Sequence, residues 1–404
     1  MINIAQNREI SMKAFKFEGS GFEYFKIWIV NFLLTIVTLG LYYPWAKVRT
    51  YRYFYANSTL EGRNFEYHAT GRQLFLSYLI ALFLLIIFVI VQQVSPIGSL
   101  IFVLLAALAM PWVIWRSLKF RLRMSSFSNV RFSFDGSLGG AYMNFMVLPI
   151  ATTVGLYLLM VVVVLAVASA GKFGSGLIAV IVALVIGIPF IYLGLYLFAL
   201  VSKKKKDYVI GHTRFGQGRF LPKLETKALI KIFFKSFIVG LLIFAIYGLF
   251  IFLVSSTSGL TAQMAGLRPE ELPQVMLHSG MVLFIVLFYI GFLVTFILIY
   301  TYFYTRQRAY ILANTTLDEE ISFQSTLKAR PYAILLLTNL LAVIFTLGLA
   351  APWAAVRTAR FILENTKVSS DANFDVYLTQ KSAEQSALAE EIGDTFDIDM
   401  GIGL

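Results

Sequence analysis

The chain has 404 residues, of which 58% are apolar and only 14% charged, against roughly 25% charged in an ordinary soluble domain, so water is excluded as its main solvent. The absence of cysteine excludes disulfides, thiol catalysis and cysteine-based metal sites. A formal charge of +12 raises a nucleic-acid reading that depends on where the cations sit.

Residues 1–14 read as an N-terminal tail. MINIAQNREISMKAFKF lacks the apolar stretch and small-residue cleavage site of a secretory signal, so insertion is expected to depend on the first internal apolar segment, with nothing removed. At Phe15 the first of a series of short aromatic alternations begins: FKF there, FEY at Phe65, FSF at Phe132, RFL near Phe220 and SFQ near Phe323, with a stub at Phe374 to Tyr377 expected to end the series. Period-two alternation reads as strand, and the Asn, Thr and Gly residues before it, such as Asn57, Thr59 and Gly62, read as hairpin turns.

Between the strands lie apolar runs of roughly 18 residues or more, the length of a membrane crossing. Three pairs stand out, 74–94 with 98–115, 146–170 with 176–201, and 229–254 with 281–304. A pair of crossings returns the chain to its starting side. Segments 27–46 and 333–354 are single, and TLGL followed by a proline interrupts each, at Gly40 and Pro44 and at Gly348 and Pro352.

These segments belong to a repeat. NFLLTIVTLGLYYPWAKVRTYRYFYANST, from Asn31, recurs as NLLAVIFTLGLAAPWAAVRTARFILENTK, from Asn339. Pro44, Trp45, Arg49 and Phe65 match Pro111, Trp112, Arg116 and Phe132 at constant spacing; Arg49, Tyr53, Asn57 and Thr59 match Arg306, Tyr310, Asn314 and Thr316; and Arg49 and Arg52 align more weakly with Lys203 and Lys206. Five units result, about 15–64, 65–131, 132–219, 220–321 and 322–381, followed by an acidic tail at 382–404.

The expected fold is therefore mainly α and polytopic: one domain over 15–381 built from five pseudo-repeats of a membrane helical hairpin plus a short cytoplasmic β-hairpin. It has about six full crossings and two re-entrant hairpins broken at Gly40 and Gly348, where protein must satisfy the freed backbone. Eight full crossings are the alternative. The re-entrant arrangement puts every one of the 34 Lys and Arg residues except Lys172 and Arg268 on one face, which the positive-inside rule makes cytoplasmic, along with both termini. That distribution accounts for the charge, and the nucleic-acid reading falls.

FKFEGSGFEYF, TLGLYYPWAKVRTYRYF and the terminal EEIGDTFDIDMGIGL together resemble the YjgN-like family of bacterial inner-membrane proteins, over nearly the whole chain. The resemblance implies that location. The family is one of unknown function, so it implies no activity, substrate or catalytic residue.

The repeat stacks basic residues at the ends of the membrane segments: Arg49, Arg116, Lys203, Arg306 and Arg357, with Arg52, Lys119, Lys206 and Arg360 three positions on and Ala309 in the remaining copy. Three residues apart is one helix face. Snorkelling and orientation explain such residues, and a ring that gathers anions or anionic phospholipid headgroups is the functional alternative. Trp45, Trp112 and Trp353 after Pro44, Pro111 and Pro352 read as interface anchors at a helix break, or as a hinge. Asn31 and Asn339 are the intramembrane amides, with Asn144 near another segment, and are read as helix-packing groups before a polar path.

His68, His212 and His278 show no metal-motif spacing, GKFGSG at 171–176 lacks phosphate-loop order, and no ionisable residue falls mid-crossing. No metal, cofactor or catalysis is therefore expected. The tail alternates acids with apolar residues from Phe396 to Ile402, as either solvated chain or a strand docking on the basic face. The expected function is passive or facilitated transport of a small solute or lipid, with a membrane-anchored scaffold for a partner or anionic lipid as the alternative; the lipid bilayer is the one partner expected in either case.

Overall fold

The structure, a computed structural model, describes residues 12–173, 176–257, 281–369 and 376–384. It is mainly helical, with one antiparallel sheet. Its strands are β1 (Met12–Ala14), β2 (Lys16–Phe17), β3 (Ser58–Leu60), β4 (Arg63–Tyr67), β5 (Ser125–Phe127), β6 (Val130–Phe134), β7 (Thr213–Phe215), β8 (Gly218–Pro222), β9 (Thr315–Leu317), β10 (Ile321–Ser325) and β11 (Thr366–Ser369). Every strand belongs to one compact unit, made of residues 1–226, 311–326 and 352–404.

The sheet closes on itself. Its order runs β1-β11-β10-β9-β8-β7-β6-β5-β4-β3-β2, and β1 and β2 are halves of one strand separated only by Phe15. That residue donates its N–H to the Thr366 carbonyl at 3.0 Å. The first strand therefore pairs with β11 on one side and β3 on the other, which removes the free edges that an open sheet exposes.

Alternation sends one side chain in two inward. Leu60, Phe127, Val130, Phe215, Leu317, Ile321 and Val368 are buried together, with Phe15, Phe65, Phe132, Phe220 and Phe323 packed on them. Phe65 and Phe127 stand 4.6 Å apart between ring centroids, and Phe132 and Phe215 5.0 Å. Full burial of a ring such as Phe127 or Phe215 stabilises the barrel by about 1.5–3 kcal/mol. Two-residue turns with both φ positive, Glu61 and Gly62 and then Ser128 and Asn129, close the first two hairpins, the turn class that matches strand twist.

Between the paired strands the chain makes five helical excursions: α1 (Gly21–Val37) with α2 (Tyr43–Ala56); α3 (Gly71–Val94) with α4 (Pro96–Arg123); α5 (Leu138–Tyr142) and α6 (Leu148–Phe173), joined by a π turn, with α7 (Gly176–Gly211); α8 (Thr226–Thr257) with α9 (Met281–Ala313); and α10 (Ala329–Phe345) with α11 (Ala351–Glu364). Local sequence starts them. Ser20 with Glu23 and Thr70 with Gln73 form capping boxes, and Ser95 and Ser137 cap α4 and α5. Each excursion leaves and returns at partnered residues: Phe17 opposite Ser58, Tyr67 opposite Ser125, Phe134 opposite Thr213, Pro222 opposite Thr315 and Ser325 opposite Thr366.

Among the described residues, six helices are long and apolar enough to cross a membrane: Gly71–Val94, Pro96–Arg123, Leu138–Ser169, Gly176–Gly211, Thr226–Val254 and Ile285–Ala313. They correspond to the three segment pairs read from the sequence. In two of them the apolar side chains are exposed through a full turn. Phe83 to Ile86 and Tyr157 to Val162 are uninterrupted exposed runs, and 3.6 residues complete a turn.

The TLGL segments break as expected. α1 ends in a Schellman motif in which Gly40 N–H reaches the Thr35 carbonyl at 2.7 Å, with Leu39 at φ 50° and Gly40 at φ 91°; α10 ends likewise, Gly348 N–H reaching Val343 at 2.8 Å with φ 95°. Leu39 and Leu347, 93% and 95% exposed, tip the two turns.

The expected strand stub at Phe374 to Tyr377 is corrected. Residues 376–384 form a helix, α12, and the strand after α11 is β11. Tyr377 and Leu378 are both buried against the barrel interior, and two adjacent inward side chains suit a helix face rather than a strand. Phe374 and the Phe396 to Ile402 segment lie outside the described residues.

The second compact unit spans residues 227–310 and 327–351. Within it Phe233 stacks on Phe303 at 5.2 Å, and Tyr304 lies 5.6 Å from Tyr332. Tyr247 covers Gly291, where a Cβ would come within 2.6 Å of the ring.

Candidate functional site

The repeated basic residues divide by what they touch. Arg52 Nη2 donates to the Ala69 carbonyl at 2.8 Å, and Arg360 Nη2 donates to the Gly19 carbonyl at 2.8 Å. Each thus ties the end of one helical excursion to the start of the next, and Arg360 joins the last to the first. At the corresponding place Trp115 Nε1 donates to the Gly136 carbonyl at 2.7 Å, while Lys119 lies over the Trp115 ring at 4.1 Å and Arg116 over Trp112 at 5.5 Å.

Tryptophan reinforces these joints. Trp45 lies across Gly71 and Trp353 across Gly21, the first residues of α3 and α1. A Cβ at either glycine would stand 2.3 Å from the indole Cδ1. Trp45 also packs on Phe75 and Trp353 on Phe25, both at 4.9 Å. Pro44, Pro111 and Pro352, one residue before these positions or Trp112, are fully buried.

Arg49 stands apart. Its Nη1 donates to Asn31 Oδ1 at 3.3 Å and to the Tyr42 hydroxyl at 3.2 Å, while Asn31 Nδ2 donates to the Ala46 carbonyl at 3.3 Å. Asn31, on α1, is buried and clamps α2. Asn339 is buried in α10, and Arg357 is exposed on α11. Asn144 sits in the π turn and donates to the Gly140 carbonyl at 2.8 Å.

Lys203 pairs with Asp207 at 2.9 Å, Lys206 is half-buried, and Arg306 lies 5.7 Å over Tyr302. The weak alignment of Arg49 with Lys203 shifts by one residue. Tyr53 donates to the Ser20 carbonyl at 2.7 Å and Tyr208 to the Ser137 carbonyl at 2.6 Å, both carbonyls of helix N-caps. That match sets Lys204 and Asp207, not Lys203 and Lys206, beside Arg49 and Arg52.

A cluster at the turn end of the barrel had no sequence signal. Asp318 Oδ1 accepts the Arg219 N–H at 2.7 Å, and its Oδ2 accepts the Tyr377 hydroxyl at 2.8 Å and lies 3.4 Å from Lys381 Nζ. Burial alone would raise the Asp318 pKa, but the Arg219 N–H, the Tyr377 hydroxyl and Lys381 together hold it below the usual value. Burial and the facing carboxylate push the Tyr377 hydroxyl up.

His68 Nε2 meets Ser126 Oγ at 2.7 Å and His212 Nδ1 meets the Tyr208 carbonyl at 2.8 Å; His278 and Arg268 lie outside the described residues. Among the described residues no group of three His, Cys, Asp or Glu side chains is gathered for a metal.

Residues 12–395 match the family described as bacterial protein of unknown function, DUF898. The chain belongs to this family. Among curated relatives, inner membrane protein YjgN of Salmonella typhimurium is 29% identical over 400 residues, 96% of each chain. The Escherichia coli proteins of that name, in two strains, are 31% identical over 258 residues, 62% of this chain and 63% of theirs. No solved structure matches. With relatives named as inner-membrane proteins and six membrane-capable helices, this DUF898 member is a polytopic membrane protein.

Proposed function

We propose that the chain is a non-enzymatic inner-membrane protein that facilitates movement of lipid, built from five pseudo-repeats whose strands share one closed sheet. The carrying observation is the character of the six long helices. Apolar side chains, chiefly Leu, Ile, Val and Met with Phe in α3, make up most of the exposed surface of α3 and α6, which suits acyl chains better than an ion or polar solute. Proteoliposomes with fluorescent phospholipid in both leaflets test this: the protein should raise the fraction reached by an external quencher, and an unchanged fraction refutes it.

In this reading α1–α2 and α10–α11 are re-entrant. Phe17 and Ser58 are opposed on hydrogen-bonded strands, as are Ser325 and Thr366, and a single crossing between either pair would put partners on opposite sides of the bilayer. α1 has 17 residues, about 25 Å at 1.5 Å per residue, short of the roughly 30 Å hydrocarbon core. The sheet and both termini are then cytoplasmic, where the positive-inside rule puts the basic residues.

A scaffold that binds a partner or anionic lipid is the second reading. It is favoured by exposed Lys16 and Arg219 on the rigid closed sheet. With no free edge, such a partner would dock on side chains rather than add a strand. Crosslinking from these positions in cells should capture one protein or lipid reproducibly if it holds.

A further inference from the structure

The nine repeated cations are not equivalent, and they differ in what holds them. Arg52 and Arg360 are engaged by backbone carbonyls, Lys203 by Asp207, and Arg116 and Lys119 by indole rings. Arg49 is held at fixed geometry by two neutral oxygens, Asn31 Oδ1 and the Tyr42 hydroxyl. Asn31 is buried, and the Ala46 carbonyl fixes its amide, so Oδ1 is already aimed at the guanidinium. The Arg49 side chain is exposed, and among the described residues its bonds use Nη1 alone, which leaves Nε and Nη2 as a fork of donors. The Tyr42 oxygen accepts from Arg49, which leaves its own O–H free to donate.

An orientated guanidinium with unused donors, an adjacent hydroxyl and no acid among its contacts is complementary to a phosphate. Its level agrees. Arg49 lies six residues into α2, about 9 Å below the hairpin tip at 1.5 Å per residue, and the tip side chains Val37, Leu39 and Leu41 are apolar and exposed. With that tip among acyl chains, Arg49 is at headgroup depth. The other broken hairpin repeats the pair at the same spacing, as Asn339 and Arg357, whereas Gly98 stands at that distance before Arg116 in a long one.

We propose that Arg49, Tyr42 and Asn31 form a phosphate-binding site for an anionic phospholipid of the leaflet that α1–α2 enters. The site rests on the re-entrant reading of that hairpin and is independent of whether lipid is moved.

The test uses the full chain in nanodiscs of phosphatidylcholine with graded phosphatidylglycerol, with bound phosphatidylglycerol counted by native mass spectrometry, and inorganic phosphate titrated into the detergent-solubilised protein as a separate arm. Arg49→Gln should weaken phosphatidylglycerol retention about tenfold, the equivalent of one charge-assisted contact. Arg49→Lys should recover part of it. Tyr42→Phe, which leaves the hairpin clamp in place, should lower retention severalfold with unchanged thermal unfolding. Undiminished retention in Arg49→Gln and Tyr42→Phe overturns the site. Saturable, Arg49-dependent binding of inorganic phosphate alone, without lipid preference, overturns its assignment to lipid. Loss of retention in a variant that still moves fluorescent lipid supports the site and separates it from transport.

Discussion

The phenol of Tyr377 donates to Asp318 Oδ2 at 2.8 Å across 59 positions of sequence, fastening α12 to the turn between β9 and β10. Tyr377 and Leu378 complete the barrel core at this end, and a Cβ at Gly218 would stand 2.5 Å from the Tyr377 hydroxyl. The carboxylate also receives the Arg219 N–H and Lys381, so it links α12 to two hairpins. Asp318→Asn should destabilise this contact by about 1–2 kcal/mol, the range for a charge-assisted hydrogen bond at a partly exposed site. Hydrogen exchange at 376–384 should accelerate while exchange in β5 and β6 stays unchanged.

The same cluster sets a pH window. Asp318 titrates below its ordinary value, so its contribution is present above the unfolded carboxylate pKa and is lost as pH falls through the lower folded one. Lys381 titrates above its ordinary value: burial opposes this, but Glu384 and Asp318 prevail. Its contribution is full below the unfolded pKa and lost as pH rises through the folded one. α12 should therefore be best protected near neutrality, relative to the unfolded chain at the same pH, and less protected at both extremes, and Asp318→Asn should abolish the acidic limb and shrink the alkaline one.

The absence of cysteine allows a direct distance test. A Cβ built on Gly216 stands 3.7 Å from Lys381 Cβ, close to the roughly 3.8 Å of disulfide-linked pairs. Gly216→Cys with Lys381→Cys should oxidise to a crosslink seen as a mobility shift on non-reducing gels, and neither single variant should. Gly216 has φ 56°, so the substitution itself costs about 1 kcal/mol. No crosslink under mild oxidant would refute the placement of α12.

Trp45 over Gly71 predicts a reciprocal pair. Gly71→Ala forces a methyl into a rigid indole at 2.3 Å and should cost about 1–3 kcal/mol. Trp45→Leu in the same chain should recover much of that, giving a coupling above about 0.5 kcal/mol in a double-mutant cycle. Additive effects would show that the ring does not press on this glycine.

Much of this architecture was legible because its signals are local. Period-two aromatics marked the strands, apolar length marked the helix pairs, and TLGL marked the breaks, since Gly40 and Gly348 supply the positive φ that a tight helix end needs. Closure of the sheet was not legible. Phe15 bonds Thr366, and its neighbour Lys16 pairs with Thr59, and nothing near Phe15 names either partner. The candidate site was half legible for a similar reason. Arg49 and Arg52 are the same residue type on one helix, and their difference lies in acceptors elsewhere: a backbone carbonyl at Ala69, which has no side-chain signature, against the amide of Asn31. Trp45 and Trp353 carried a usable signal in retrospect, because a glycine opens both α1 and α3.

Topology is the sharpest test of the re-entrant reading. If α1–α2 and α10–α11 both dip and return, a tag at residue 10 and another at residue 375 report the cytoplasm, and Leu39→Cys, at a tip 93% exposed in the protein alone, is shielded by lipid from impermeant thiol reagents added on either side. If instead α1 crosses, the tag at residue 10 reports the periplasm, Leu39→Cys reacts from the cytoplasmic side, and the register partners Phe17 and Ser58 cannot share one sheet. Selective labelling of Leu39→Cys from the cytoplasm, with a periplasmic tag at residue 10, would therefore refute the shared cytoplasmic barrel together with the lipid site at Arg49.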